Sequence, residues 1–500
     1  MKTQRLVAWI TFLAIFAMAA RISIDPDTWW HLRAGQWILE NRTILKQDFF
    51  SYTRYGVDWR YPGWLVEVPM YMVYSVFGFG GLNLWTAFLV SLAFVFLWKA
   101  LSGGTFVKAF GLILAASAAG VYWAARPYLV TFLLAAIYLW ILEAFRWCSD
   151  SGGCRRIWWL APLMTIWANS HGGFAVGFIL WGIYVIADLR PLATSLLVRL
   201  GLGLPDDPDV RSAWLDRTKR LVSVGALMIL AVSLNPSGPA MLLYPFQTLG
   251  IGALQDYIQE WQSPDFHSIS VQPFVWMIFL TLAAAGISRL RLTLSDFLLV
   301  AVFGTMGLLA GRNVALFALA AAPVLVRHAS NILSDITPGL GWRGVDDIPA
   351  SCRQSMFNGL LLVAIVAAVC VKAVSVFPND VNWDALRSSL PVKAVEYLQR
   401  EQPPGRLFNS YNWGGYLIWA LRDYPVFIDG RTDLYDDELV GQWLKVMRVE
   451  PGWQGILRAY QVHLVLVEDD TFLTRTLAGE QDWVMLYEDE VAAIFQYRSP

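Results

Sequence analysis

The sequence is short of charge. Only 15% of its 500 residues are Asp, Glu, Lys or Arg, against about 25% in a soluble domain, which excludes a chain bathed in water on all sides. Neither sign dominates: 38 Lys and Arg face 39 Asp and Glu. With no basic stripe, no nucleic-acid partner is expected. Cysteine is scarce as well. Cys148, Cys154, Cys352 and Cys370 show no metal-site spacing, and although the first two share a short loop, all four are read as free thiols. What the chain has in quantity is apolar bulk, at 56% hydrophobic residues and 25 tryptophans. Apolar stretches on the order of 20 residues recur to about Phe377, the length that crosses a bilayer as a helix. The fold class expected is a polytopic α-helical membrane protein.

Counting Lys and Arg in the short loops orients the spans. The first helix, Leu6 to Ala20, starts inside behind Lys2 and Arg5. It resembles a signal peptide, but the acidic motif behind it favours a retained anchor. Residues 23–63 then form a large outer loop. Trp64 to Phe77, interrupted by Glu67 and Pro69, is read as a juxtamembrane or re-entrant piece, and Leu82 to Leu101 as the next crossing. Arg146, Arg155 and Arg156 fall inside, as do the loops Arg190 to Arg220 and Arg327 to Arg353. The reading gives about 11 spans over residues 1–377, an inner N-terminus and an outer C-terminus in the plasma membrane. Beyond residue 377, short apolar runs (Val426 to Ile428, Leu464 to Val467, Ala492 to Phe495) alternate with helical patterns. Residues 378–500 are therefore predicted to be an extracytoplasmic α/β domain.

With this topology the unusual polar residues fall at the outer level: Asp25, Asp27, His31, Arg126, Asn169, His171, Asn235, Arg312 and Asn313, with Glu67 and Glu260 on outer segments. Ionisable groups at membrane depth are costly and mark functional cavities. Each also has a plain structural reading. Arg126 before Pro127 suits an interfacial anchor, Asn235-Pro236 a helix end, His171 a turn cap, and Arg312 a solvated hairpin tip. In DPDTWWHLRAG, Asp25 is read as an N-cap and Pro26 as the first turn. Asp27 and His31, four apart, share one face, with Trp30, Trp37 and Ile38 resting on the bilayer interface. In the last segment, Trp413 and Tyr416 of NWGGY and Asp429 and Arg431 of DGRTD are read as loop residues suited to an acceptor. The plain alternative is that Asp429-Gly430 is a turn and Arg431 pairs with Asp433.

The first helix, the motif DPDTWWHLRAGQWILEN, WANSHGGF, NPSGP with YIQEWQSPDF, and the tail NSYNWGGYLIW with VFIDGRTDLY together resemble the GT-C superfamily. These are integral-membrane glycosyltransferases that use polyprenyl-phosphate-linked sugars, among them protein O-mannosyltransferases, aminoarabinose transferases and oligosaccharyltransferase catalytic subunits. The resemblance covers nearly the whole chain. It implies a GT-C-like bundle and an essential acid just after the first helix, here Asp25 or Asp27. In the oligosaccharyltransferase branch an Asp-Pro acid binds a divalent metal and the acceptor, which points to Asp25. In the O-mannosyltransferase branch the Asp of an Asp-Glu pair resembles a general base; here Asp27 is followed by Thr28, so the branch stays open. Asp27, Asp25 and His31 are the catalytic candidates, and Arg126, Arg312 and His171 the candidates for the donor phosphate. Glu67, Asn235, Glu260 and Asn313 serve the acceptor or the structure, and Asp25 with Asp27 is the pair that would hold Mg²⁺ or Mn²⁺. The partners implied are a polyprenyl-phosphate sugar, a glycan, lipid or protein acceptor, and membrane lipids. The competing class is a transporter or flippase, or a non-catalytic protein of envelope glycan assembly. Transport needs polar residues at the midplane or on both sides, whereas these gather on one.

Overall fold

The computed structural model describes residues 1–148, 154–189, 208–252, 258–336 and 351–498. Most of the predicted inner loops at Arg190 to Arg220 and Arg327 to Arg353 lie outside the described residues. Five helices are long and apolar enough to cross a membrane: Trp64–Ala100, Thr105–Tyr122, Tyr128–Arg146, Gly311–Ile336 and Cys352–Ser375. Shorter apolar helices, Thr3–Ala19, Gly172–Asp188, Gln272–Ile287 and Leu294–Leu309, pack among them. The chain is a multi-pass membrane protein; the expected span count is only partly matched by these elements.

The segment after residue 63 divides where predicted. Trp64–Ala100 is two helices meeting at Gly78, whose φ of 60° and ψ of −153° are non-helical and open to glycine. The predicted piece Trp64 to Phe77 is thus the helix before that break. Cys148 and Cys154 depart from expectation: they are joined in a disulfide, with Cα atoms 5.7 Å apart, within bridging range.

Two apolar cores form. One lies inside the bundle and runs from Ile15 to Val376. The other joins Trp29, Trp30, Leu32 and Trp59 to Leu407, Trp413, Phe427, Leu464 and Phe495, so residues 23–63 and the C-terminal segment share one interior. The tryptophans of the acidic motif are accordingly buried, Trp29 at 1% and Trp30 at 4% exposure. They do not rest on the bilayer, because the C-terminal segment offers them a larger apolar surface.

That segment carries a four-stranded sheet in the order β1-β2-β4-β3, where β1 is Arg406–Asn409, β2 Val462–Glu468, β3 Trp483–Glu488 and β4 Ala492–Tyr497. β1 runs parallel to β2, and the other pairings are antiparallel. The predicted run Val426 to Ile428 is not a ladder strand. It makes a single bridge to Ser51, while Asn409 ties it to β1 through Ile428 O at 2.8 Å and Phe427 N at 2.8 Å. NWGGY, read as a loop, belongs to the helix Tyr411–Ala420. Its aromatic and apolar side chains match the shared core well enough to outweigh two adjacent glycines.

Candidate active site

The helix Asp27–Asn41 begins one residue later than predicted, with Pro26 at its N-cap. Asp25 nonetheless steadies the turn, since its Oδ1 accepts from Asp27 N at 2.9 Å. Ahead of the helix the chain is laced to the turn before Tyr128–Arg146. Arg21 donates to Trp123 O at 2.8 Å, Ala125 N to Ser23 Oγ at 3.0 Å, and Thr28 Oγ1 to Ala125 O at 3.0 Å. This stitching sets the next residue, Arg126, against the acidic motif.

Arg126 is the hub. Its guanidinium lies 3.6 Å from Asp25 Oδ2, 3.3 Å from Asp27 Oδ2 and 2.6 Å from Glu260 Oε2, and its Nε is buried without a hydrogen-bond partner. Glu260 also faces Arg312 at 3.8 Å. Arg312 Cζ sits 4.4 Å over the Trp261 ring, and Gly311 N donates to Gln262 O at 2.9 Å, pinning the loop of Glu260 to the hairpin tip. Five residues remote in sequence, Asp25, Asp27, Arg126, Glu260 and Arg312, thereby form one network. His171 stands beside it, its ring edge-on to Tyr128 at 5.9 Å.

The electrostatics separate the acids. Burial, then neighbouring Asp25, pushes Asp27 up to about 7, against the pull of Arg126 and the Trp30 hydrogen bond. Burial acts on Glu260 in the same direction, but Arg126 and Arg312 prevail and hold it down at about 2. Glu260 is thus a fixed anion, while Asp27 titrates where a general base is most effective. Asp27 keeps 25% of its side-chain surface exposed. Burial, with Arg312 and Arg126, lowers His171 to about 3. Its Nδ1 accepts from Gly173 N at 2.9 Å, so the neutral ring carries its proton on Nε2. It can donate a hydrogen bond there in place of a charge.

Other predicted residues are drawn elsewhere. His31 does not face Asp27; its Nδ1 pairs with Glu67 Oε1 at 2.9 Å in a buried contact, and burial holds the imidazole well below its usual range. Asn235 donates to Ala168 O at 2.8 Å and Asn169 Oδ1 at 3.2 Å, fastening two helix ends. Asn313 closes its hairpin on Met306 O at 3.2 Å. Trp413 is buried and donates to Ser389 O at 2.9 Å, and Tyr416 packs edge-on against Trp29 at 4.9 Å; neither presents an aromatic surface to an acceptor. Arg431 pairs with Asp429 Oδ2 at 2.7 Å and with Asp48 Oδ1 at 2.6 Å, fully buried. Asp433 instead accepts from Tyr244 at 3.0 Å and Trp59 at 3.2 Å.

Mg²⁺ or Mn²⁺ would find Asp25 and Asp27 as ligands, but among the described residues no three His, Cys, Asp or Glu side chains are grouped to hold an ion. Both carboxylates turn to Arg126. Among the described residues the ligand set for such an ion is therefore incomplete.

Sequence reasoning missed a second polar cluster at the far end of the same helices. Arg146 reaches Asp296 at 2.7 Å and Glu143 at 3.1 Å, Arg327 pairs with Asp296 and lies 3.6 Å from Glu143, and Tyr184 donates to Glu143 at 2.6 Å. The polar residues are therefore not confined to one side. Tyr128–Arg146 has 19 residues, so the clusters stand roughly 28 Å apart, about a hydrocarbon thickness. Between them the helix buries Phe132, Ala135, Ala136, Leu139 and Leu142, an apolar layer.

No protein-family model matches the sequence, and no curated protein matches it. Among solved structures, the archaeal oligosaccharyltransferase AglB from Archaeoglobus fulgidus, in complex with an inhibitory peptide and a dolichol-phosphate, is similar over 92% of this chain and 69% of its own, with a TM-score of 0.57 and 11% identity. The same enzyme tethered to an acceptor peptide is similar over 93% and 69%, with a TM-score of 0.52 and 13% identity. ArnT from Cupriavidus metallidurans bound to undecaprenyl phosphate aligns over 98% and 97%, at a TM-score of 0.47 and 14% identity. At these identities the likeness to the Archaeoglobus fulgidus oligosaccharyltransferase shows the fold alone.

Proposed function

We propose that this chain is a GT-C glycosyltransferase that moves a sugar from a polyprenyl-phosphate donor to an acceptor at the outer face of the plasma membrane. The observation that carries the reading is the accessible Asp27 carboxylate, titrating at about 7, set 3.3 Å from Arg126. Asp27 takes the proton of the acceptor O–H or N–H as that atom bonds to the anomeric carbon. The bond from that carbon to the phosphate oxygen breaks, and its electron pair leaves with the lipid phosphate. Arg126, whose Nε lacks a partner, and Arg312 receive that charge, because a guanidinium matches phosphate geometry. Glu260 holds the two cations in place, and the neutral His171 donates from Nε2. The dolichol-phosphate in the AglB structure agrees with a lipid phosphate ligand, by analogy of fold.

Transfer is measured with purified protein in lipid nanodiscs, over a panel of polyprenyl-phosphate sugars with glycan, lipid and peptide acceptors. Asp27→Asn is expected to lower kcat by about 10²- to 10⁴-fold, the range of a lost general base. Undiminished transfer by Asp27→Asn removes the base assignment, and no transfer by the wild type over the whole panel removes the proposed activity.

A further inference from the structure

The residues NWGGY and DGR do not face an acceptor, yet both lie against the acidic motif. Helix Tyr411–Ala420 is wedged between two turns. A Cβ on Gly414 would overlap Ile428 O and stand 2.5 Å from Asp429 Cβ, while one on Gly415 would stand 2.5 Å from Pro26 O. The first glycine seats the Asp429-Gly430-Arg431 turn and the second seats Asp25-Pro26-Asp27. A Cβ on Gly430 would in turn overlap Oδ1 of Asp27. That oxygen also accepts from Trp30 Nε1 at 3.0 Å, and the other oxygen faces Arg126.

We propose that the C-terminal segment is a positioning device for the base: the bare backbone of Gly430 and the indole N–H of Trp30 clamp Oδ1 of Asp27, which leaves Oδ2 aimed at Arg126 and the acceptor. This rests on the reading of Asp27 as the base. The Gly430 side of the clamp is rigid because its neighbours are locked. Arg431 binds Asp429 through Nε at 2.8 Å and Nη2 at 2.7 Å, and reaches across to Asp48 at 2.6 Å. Tyr435 adds a hydrogen bond to Asp429 at 2.5 Å. A buried, bidentate and doubly paired guanidinium does not shift easily. Crowding at residue 430 is therefore relieved by the Asp27 carboxylate, which has solvent on one side. Trp30 is equally confined, packed edge-on by Tyr61 at 5.1 Å and against the His31 ring at 3.5 Å.

The test uses the full chain in nanodiscs and two readouts. Difference infrared spectra of wild type minus Asp27→Asn isolate the carboxyl band of residue 27, whose titration midpoint needs no substrate. In Gly430→Ala that midpoint is expected to move by about one unit and kcat to fall on the order of 100-fold, with KM little changed, as for a reacting group misplaced by about 1 Å. Gly441→Ala, in the same segment with open space around its Cβ, is expected to change neither. Trp30→Phe keeps the ring packing and removes the donor. It is expected to raise the midpoint by about one unit, the worth of a hydrogen bond to a charged group, and it decides the matter if Gly430→Ala does not fold. Unmoved midpoints in folded Gly430→Ala, or in Trp30→Phe, overturn the clamp. Unaltered transfer by Asp27→Asn with a moved midpoint overturns the base and leaves the clamp standing.

Discussion

At the scale of single residues, one short stretch places two carboxylates in different electrical situations. Asp25 spends an oxygen on the Asp27 amide, whereas Asp27 is exposed enough to meet an acceptor and buried enough to sit near 7. A folded-state value above the ordinary 3.8 means that the folded protein holds this proton more tightly than the unfolded chain. Its stabilising contribution is complete below about pH 4 and is lost as pH rises through about 7. The melting temperature of the wild type is thus expected to fall between pH 5 and pH 8 by more than that of Asp27→Asn, measured by differential scanning fluorimetry in detergent. Equal slopes would show that Asp27 ionises as freely in the fold as in water. Arg431 gives a contrasting case. Truncation to Ala strands Asp48 and Asp429 without their cation, and breaking a buried pair this way costs about 3–5 kcal/mol. A large drop in melting temperature is expected for Arg431→Ala, and a drop below about 1 kcal/mol, typical of an exposed ion pair, would contradict the burial.

At the scale of elements, helix ends do the assembling. Arg126 precedes Tyr128–Arg146, Arg312 sits at a hairpin tip, His171 caps the turn before Ala175–Asp188 through Gly173 N, and Glu260 lies in the short turn Gln259–Trp261. Rigid apolar helices hold these ends at one level, which is where polar groups escape the cost of immersion in hydrocarbon. The far ends of the bundle obey the same rule with Glu143, Arg146, Asp296 and Arg327. Those charges were not legible as a cluster, because Asp296 and Arg327 belong to helices far along the chain from Arg146. The break at Gly78, by contrast, was legible: the sequence reads as two segments, Trp64 to Phe77 and Leu82 to Leu101, and two helices meet at that non-helical glycine.

At the scale of the whole molecule, residues 23–63 and the C-terminal segment are one body. Trp29, Trp30 and Trp59 share an interior with β2 and β4, and Val426 is held by backbone hydrogen bonds on both sides, its N donating to Phe50 O at 3.1 Å and its O accepting from Tyr52 N at 3.1 Å. A chain ended after Phe377 would expose that interior to water. Such a truncation is expected to give no monodisperse peak in fluorescence size-exclusion chromatography, even when residues 378–500 are supplied separately. A well-behaved 1–377 protein would show that the two parts are independent domains. Shared burial also explains why an exposed acceptor surface was expected at Trp413, Tyr416, Asp429 and Arg431: aromatic and hydrogen-bonding side chains look alike in sequence whether they meet a ligand or a neighbouring segment.

The sequence by itself determined the membrane character, the acidic motif after the first helix and the identity of the polar residues that gather at one end of the bundle. Low charge, runs near 20 apolar residues and Asp-Pro at a helix start are local signals, and local signals survive in one dimension. Tertiary structure alone decided the partners. It turned His31 from Asp27 to Glu67, gave Arg126 to three carboxylates at once, and set Gly430 against Asp27. Such pairings depend on which surfaces bury together, and burial is a property of chain segments hundreds of residues apart, settled only when the two apolar cores close.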